Sequence, residues 1–271
     1  MFLNRLRITL GWPIRLALGC LDLSRTRLGR ADLSRANLKG ADLTEANLSG
    51  ANMDGADLRG ADLTQANLTS ARLGGAKLEG AFLGGAKLSG SYLCGTTLSG
   101  MDLSGMDLRR ADLSSVNLNG VDLSGSDLSR ANLQTARLSG KANLSRANLT
   151  GADLREANLM EANLSGADCK DWMCAEAALW SADLRGAVNL SAASLRSAFG
   201  DASGVGRTLL PDGMKPPAHW HIAGEADDPK QALQSFGEAW DAWRRGEVKV
   251  APPPRGGPKL PLSSPPHSVT S

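Results

Sequence analysis

The sequence predicts an all-β solenoid, a chain that bends once every five residues and stacks coil upon coil. Three observations predict it. From Leu23 to Leu138 a Leu, or once Met53, falls at every fifth position. Two residues earlier stands a small residue, most often Ala, with Asp or Asn usually between them, as in ADLSRANLKGADLTEANLSG at 31–50. No proline occurs between Leu21 and Phe199, whereas eleven of the twelve prolines lie at or after Pro211.

The period excludes straight elements. A helix turns about 100° per residue, so residues five apart diverge by about 140° and share no face. A strand alternates, so an odd period throws successive leucines to opposite sides. A chain that bends once per repeat places Leu (position i) and the small residue at i−2 inside. Positions i−1, i+1 and i+2 then face solvent, and their Asp, Asn, Ser and Gly are turn formers. Stacked coils donate N–H groups to one another, which accounts for the missing prolines.

These residues resemble the pentapeptide-repeat family, whose pattern is A(D/N)LxX. The resemblance spans about residues 21–199. It implies a right-handed quadrilateral β-helix with four pentads, twenty residues, per coil. At about 4.8 Å per coil, nearly nine coils make a rod roughly 40 Å long.

The elements follow in order. Residues 1–20 carry Trp12, Ile14, Leu16 and Leu18 and are expected to cap the end of the β-helix, which must be blocked against edge-to-edge pairing. An atypical export signal ending near Cys20 is the alternative; Pro13 and Arg15 interrupt its apolar stretch. Residues 21–199 form the β-helix. At i−2, Met101, Met106, Val116 and Val121 replace Ala and should widen the core locally. Leu138 to Leu144 and Leu184 to Leu190 are spaced by six, so the register slips at Lys141 and around Gly186–Val188, each slip a bulge at a corner or a small loop. Trp172, Met173 and Trp180 break the pattern, leaving less regular coils or a short helix near Ala175–Trp180, with Phe199 closing the stack. Residues 200–226 are irregular and proline-marked, with Leu209, Leu210 and Trp220 placed to lie across the last coil. Asp227, Asp228 and Pro229 open an amphipathic helix over 227–246. Leu233, Phe236, Trp240 and Trp243 share its apolar face, and Gly246 ends it. That face is a candidate cap or dimer contact. Residues 247–271 form a proline-rich tail, expected to be disordered.

Composition restricts function. The chain holds 30 Lys+Arg and 28 Asp+Glu; within 21–199, 20 acidic and 19 basic residues leave a net charge of −1. A strong field of either sign is excluded. The four cysteines do not form a disulfide framework: Cys169 and Cys174 occupy core positions at the repeat spacing, Cys94 is at i+1 and Cys20 lies just before the repeat, which points to a reducing cytoplasm. No stretch approaches the length of a membrane span. No catalytic constellation or phosphate-binding loop is present. His219 and His221 lack partners spaced for a metal site. No cofactor or metal is expected, and the chain is read as no enzyme.

With four pentads per coil, every fourth i−1 residue lies in one column. One column holds Asp22, Asp42, Asp62, Phe82, Asp102 and Asp122; the next face carries Arg27, Arg30, Lys87, Arg109, Arg110 and Arg130, opposed by Asp107 and Asp127. Asp22, Asp42, Asp62, Asp102 and Asp122, with Arg109 and Arg110, form the candidate interaction surface. The functional expectation is a non-enzymatic structural or protein-interaction scaffold with an unknown protein partner, a homodimer being one option and nucleic acid disfavoured. The alternative comes from the resemblance: some pentapeptide-repeat proteins mimic DNA and bind DNA gyrase. Such mimicry calls for a strongly negative rod.

Overall fold

The computed structural model describes residues 22–198, 200 and 208–217. The expected N-terminal cap, Phe199, Trp220, the helix over 227–246 and the tail lie outside them.

The described chain is a β-helix-type solenoid, and its coil length follows from its pairing. Single-residue parallel bridges join i−1 positions twenty residues apart, Asp22 to Asp42, Arg27 to Asn47, Asp32 to Asn52 and Asn37 to Asp57, and so on along the chain. Four such columns make four faces: face 1 begins at Asp22, face 2 at Arg27, face 3 at Asp32 and face 4 at Asn37. The core is the predicted one. Leu at i and Ala at i−2 are buried through nearly the whole stack, and Leu43, Leu63 and Leu103 are inaccessible or nearly so. Each buried Leu contributes roughly 1.5–3 kcal/mol.

Each pentad bends through a β-turn. The N–H of residue i+3 donates to the carbonyl of i, as from Ala36 to Leu33 at 3.0 Å. Residue i+2 takes a positive φ, as at Gly40 (66°) and Arg110 (57°), which is the type II pattern. The size of the i−2 residue registers in this bond. It measures 3.3 Å at Met106 and Val116 and 3.4 Å at Trp172, which occupies an Ala slot inside the core.

The widening expected at Met101 and Met106 is larger than a swollen core. Leu78, Gly80, Leu83 and Gly85 donate to no backbone oxygen of the coil above, and Thr97, Asp102 and Asp107 to none of the coil below. The bridges that would join 77 to 97, 82 to 102 and 87 to 107 are missing from the described residues. Bulk alone does not open the ladder, since Asp122 still donates to the Met101 carbonyl at 2.9 Å on the other side. The gap falls where two departures meet. Thr96, Met101 and Met106 lie over Ala76, Ala81 and Ala86, and the i−1 residues of the lower coil, Lys77, Phe82 and Lys87, have no carboxylate or amide oxygen to brace a turn.

Two expectations are corrected. No helix intrudes at Ala175–Trp180; the repeat continues, with Met173 and Ala178 bridged to Asp153 and Asn158. Trp172 and Trp180 are accommodated as buried side chains within that repeat. The second slip also lies later than expected. Gly186 to Val188 keep the ordinary register, Val188 bridging Asp168, and Asn189 is the displaced residue, with φ 57°. Its Nδ2 donates to Asp168 at 2.7 Å. The first slip is at Lys141, φ 66°, and there the bridge spacing becomes 21, as from Asp122 to Asn143. At the far end Leu209 bridges Asp183 and Thr208 donates to the Leu179 carbonyl at 2.7 Å, so 208–210 extends face 1 as a further pentad would. Leu210 packs on the core, as expected.

Candidate interaction surface

The surface is built from the residue between the two buried ones. In an ordinary pentad the N–H groups of i, i−1 and i+2 go to neighbouring coils and that of i+3 closes the turn, which leaves the N–H of i+1 over. The side chain at i−1 takes it. Asp22 accepts from Ser24 N–H at 3.0 Å, Asp62 from Thr64 at 2.9 Å and Asn148 from Thr150 at 3.1 Å. The second carboxylate oxygen of Asp22 and Asp62 has no hydrogen bond among the described residues, whereas those of Asp57, Asp107, Asp153 and Asp183 accept from an Arg. At Arg72 and Arg137, the coil below compensates. Asp54 accepts from Gly74 N–H at 2.9 Å and pairs with Arg72, and Asn119 accepts from Ser139 N–H at 3.1 Å beneath Arg137. Sequence reasoning assigned i−1 to solvent and missed this bond. Its signal was visible in the restriction of most i−1 positions to Asp and Asn.

The predicted columns are observed in part. Asp22, Asp42, Asp62 and Phe82 are bridged in succession on face 1, as are Asp102, Asp122 and Asn143, but the gap separates Phe82 from Asp102. The acidic column is therefore two segments, with Phe82 63% exposed between them. Tyr92, 53% exposed, lies on the opposite face 3. The Ser24, Thr64 and Ser104 side chains and N–H groups pull Asp22, Asp62 and Asp102 below the usual carboxylate range.

The basic face is not a continuous stripe. On face 2 the column runs Arg27, Asn47, Asn67, Lys87, and then Asp107, Asp127, Asn148 and Asp168. Arg109 forks onto Asp107, Nε 2.8 Å from Oδ1 and Nη2 2.7 Å from Oδ2, with Asp127 at 4.0 Å. Arg110 and Arg130 stand one residue further along, at the turn, beside a groove of about 480 Å³.

Other chemistry is sparse. Burial pushes the thiols of Cys169 and Cys174 up to about 12, so both are inert core residues. Among the described residues no group of His, Cys, Asp and Glu is arranged to hold a metal ion. His219, His221 and His267, and the predicted contact residues Leu233, Phe236, Trp240 and Trp243, lie outside them. Among the described residues no helix is long and apolar enough to cross a membrane.

The repeat model of the family described as pentapeptide repeats matches in eight copies, over residues 22–60, 46–85, 71–110, 86–125, 107–140 and 141–171. The chain belongs to the pentapeptide-repeat family. Among solved structures it is similar to HetL, a pentapeptide repeat protein involved in heterocyst differentiation regulation from the cyanobacterium Nostoc sp. strain PCC 7120. The identity is 39% over 61% of this chain and 77% of that one, with a TM-score of 0.31. It is similar also to QnrB1, a plasmid-mediated fluoroquinolone resistance protein, at 19% identity over 67% and 89% of the two chains, TM-score 0.37. A third is Rfr23 from the cyanobacterium Cyanothece 51142, at 26% identity over 46% and 85%, TM-score 0.20. No curated protein matches the chain.

Proposed function

We propose that this pentapeptide-repeat protein is a non-enzymatic scaffold of the cytoplasm that presents rigid faces to a protein partner. The observation that carries the reading is the face 1 column. Asp22, Asp42 and Asp62, and then Asp102 and Asp122, recur at the coil spacing, each bonded to its own turn through Oδ1 with no hydrogen bond to Oδ2 among the described residues. A ladder of fixed charges is complementary to a partner surface with basic groups at similar spacing. The right-handed sense and square section implied by the family resemblance belong to this reading. So does a cytoplasmic setting, which the free thiols of Cys94, Cys169 and Cys174 support.

Asp→Asn is the informative substitution, since the amide keeps the turn bond and removes the charge. The chain with Asp42, Asp62, Asp102 and Asp122 all changed to Asn is expected to stay folded, with a modest loss of melting temperature, and to lose the partner that the natural chain retains from extract. Undiminished recovery of that partner overturns the reading.

A second reading, the DNA mimic that binds DNA gyrase, draws on the same column. The positive turn residues beside face 2 and the net charge of −1 weigh against it. Gyrase supercoiling is therefore expected to be unaffected; inhibition or quinolone protection at sub-micromolar protein would establish the mimic instead.

A further inference from the structure

The groove at the turn beyond face 2 has more donors than the protein uses. Some are spent: Arg109 is held by Asp107, the Ser89 hydroxyl donates to the Arg109 carbonyl at 3.2 Å, and the Asn148 amide donates to Asp127 at 3.2 Å. Backbone donors are spent as well, Arg110 N–H on Ser129 and Arg130 N–H on Thr150. The side chains of Arg110, Arg130, Ser129 and Thr150 remain. All four line the groove, and among the described residues none of these side chains has a hydrogen bond or ion pair. Arg110 and Arg130 occupy the same position in successive coils, about 4.8 Å apart along the rod. The stem of Arg130 crosses Gly151, where an added Cβ would lie 3.6 Å from its Cγ, so the side chain is steadied by the next coil.

We propose that this groove binds a phosphate monoester carried on a side chain of a protein partner. The inference rests on the scaffold reading for the nature of the partner. Two guanidinium forks and two hydroxyls suit a group with a charge near −2 and three acceptor oxygens; a carboxylate, with one charge and two oxygens, leaves donors unused. The surroundings select a compact anion over a polymer. Along the same turn column the neighbours of Arg110 and Arg130 are Gly90 and Gly151, with Asp171 beyond, and face 2 beside them carries Asp107, Asp127 and Asp168. A duplex bears a charge every 1.7 Å or so and would meet those carboxylates.

The test uses the purified full chain and a fluorescent phosphoserine peptide with uncharged flanks, read by anisotropy at about 0.15 M salt, where long-range attraction is screened. The phosphopeptide is expected to bind and its unphosphorylated form not to. Arg110→Ala and Arg130→Ala are each expected to weaken binding about tenfold, the loss of one charge-assisted contact. Arg59→Ala on face 4 is the control and should change nothing. Melting curves establish that each variant folds, and Arg110→Lys with Arg130→Lys, which keeps the charge but not the fork, should fall between natural and Ala forms. Equal binding of the unphosphorylated peptide, or undiminished binding by the double Ala variant, overturns the proposal. Inorganic phosphate competing as tightly as the peptide overturns the protein source and assigns the groove to the free anion; tighter binding of an oligonucleotide overturns it in favour of nucleic acid. The peptide assay reads the groove alone and the face 1 Asn variant reads the scaffold, so either can fail without the other.

Discussion

An aspartate at i−1 divides its two oxygens between structure and surface. One accepts the N–H left over by the stacking of the coils; the other is available to a partner where no Arg takes it, as Arg109 does at Asp107. Asp62 illustrates the difference. Asp62→Ala leaves the Thr64 N–H to water and is expected to cost about 1 kcal/mol, the net worth of one hydrogen bond. Asp62→Asn keeps the acceptor but makes it neutral and therefore weaker, so its urea midpoint should fall by less than that of Asp62→Ala; an equal loss in both variants would refute the assignment. The same carboxyls set the response to acid. Hydrogen bonds from Arg59 lower Asp57 to about 2, and Asp22, Asp62 and Asp102 are shifted the same way. A folded-state pKa below the unfolded value of about 4 contributes stability above that value and loses it as pH falls through the folded pKa. The melting temperature should accordingly be flat from neutral pH down to about 4 and decline between about 4 and 2. The i and i−2 positions were legible because burial is written directly in the Leu and Ala period. The role of i−1 was not, because a polar residue that braces a turn and one that is merely solvated have the same composition.

At the scale of the pentad, the turn tolerates insertions that leave the ladder intact. Lys141 shows this: its extra residue sits at the corner in a left-handed conformation, and the columns above it continue with a single spacing of 21. The insertion was legible because the leucines on either side fix the register. The slip near Asn189 was misplaced because Gly186–Val188 satisfy the repeat almost as well as the residues that follow, and no regular Leu lies beyond to discriminate. The helix allowed at Ala175–Trp180 failed for a related reason. The sequence shows bulky residues in Ala and Asp positions, but only the packing shows that Trp172 is admitted to the core by a longer turn bond. Deleting Lys141 restores a spacing of 20 and removes a residue at φ 66°, a conformation that costs an L-residue about 1–2 kcal/mol. The deletion is expected to raise the melting temperature slightly. A drop of several degrees would show that the corner, and not the ladder, holds the register there.

For the molecule as a whole, stability in a solenoid is close to a sum of coil terms and nearest-neighbour interface terms. The interface between Ala76–Ala86 and Thr96–Asp107 lacks a run of ladder bonds on three successive pentads, although its Leu core stays continuous. It is the weakest coupling in the described rod, and it divides the chain into a block below it and a block above it. In native-state hydrogen exchange, the amides of Leu78, Gly80, Leu83, Gly85, Thr97, Asp102 and Asp107 should exchange far ahead of their neighbours. The division also predicts how a core lesion spreads. Leu63→Asp places an unpaired charge in a narrow apolar core, a large penalty, and should unfold the lower block. With strong coupling the upper block would unfold with it. With the coupling seen here, amides from Leu108 to Val188 should keep much of their protection while those from Leu33 to Leu73 lose theirs. Met101→Ala and Met106→Ala together shrink the residues that lie over Ala81 and Ala86, which allows the coils to approach. In that background protection on the two sides of the gap is expected to be lost together when Leu63→Asp is added. Loss of protection across the whole rod from Leu63→Asp alone would show that the continuous Leu core transmits the lesion without the ladder.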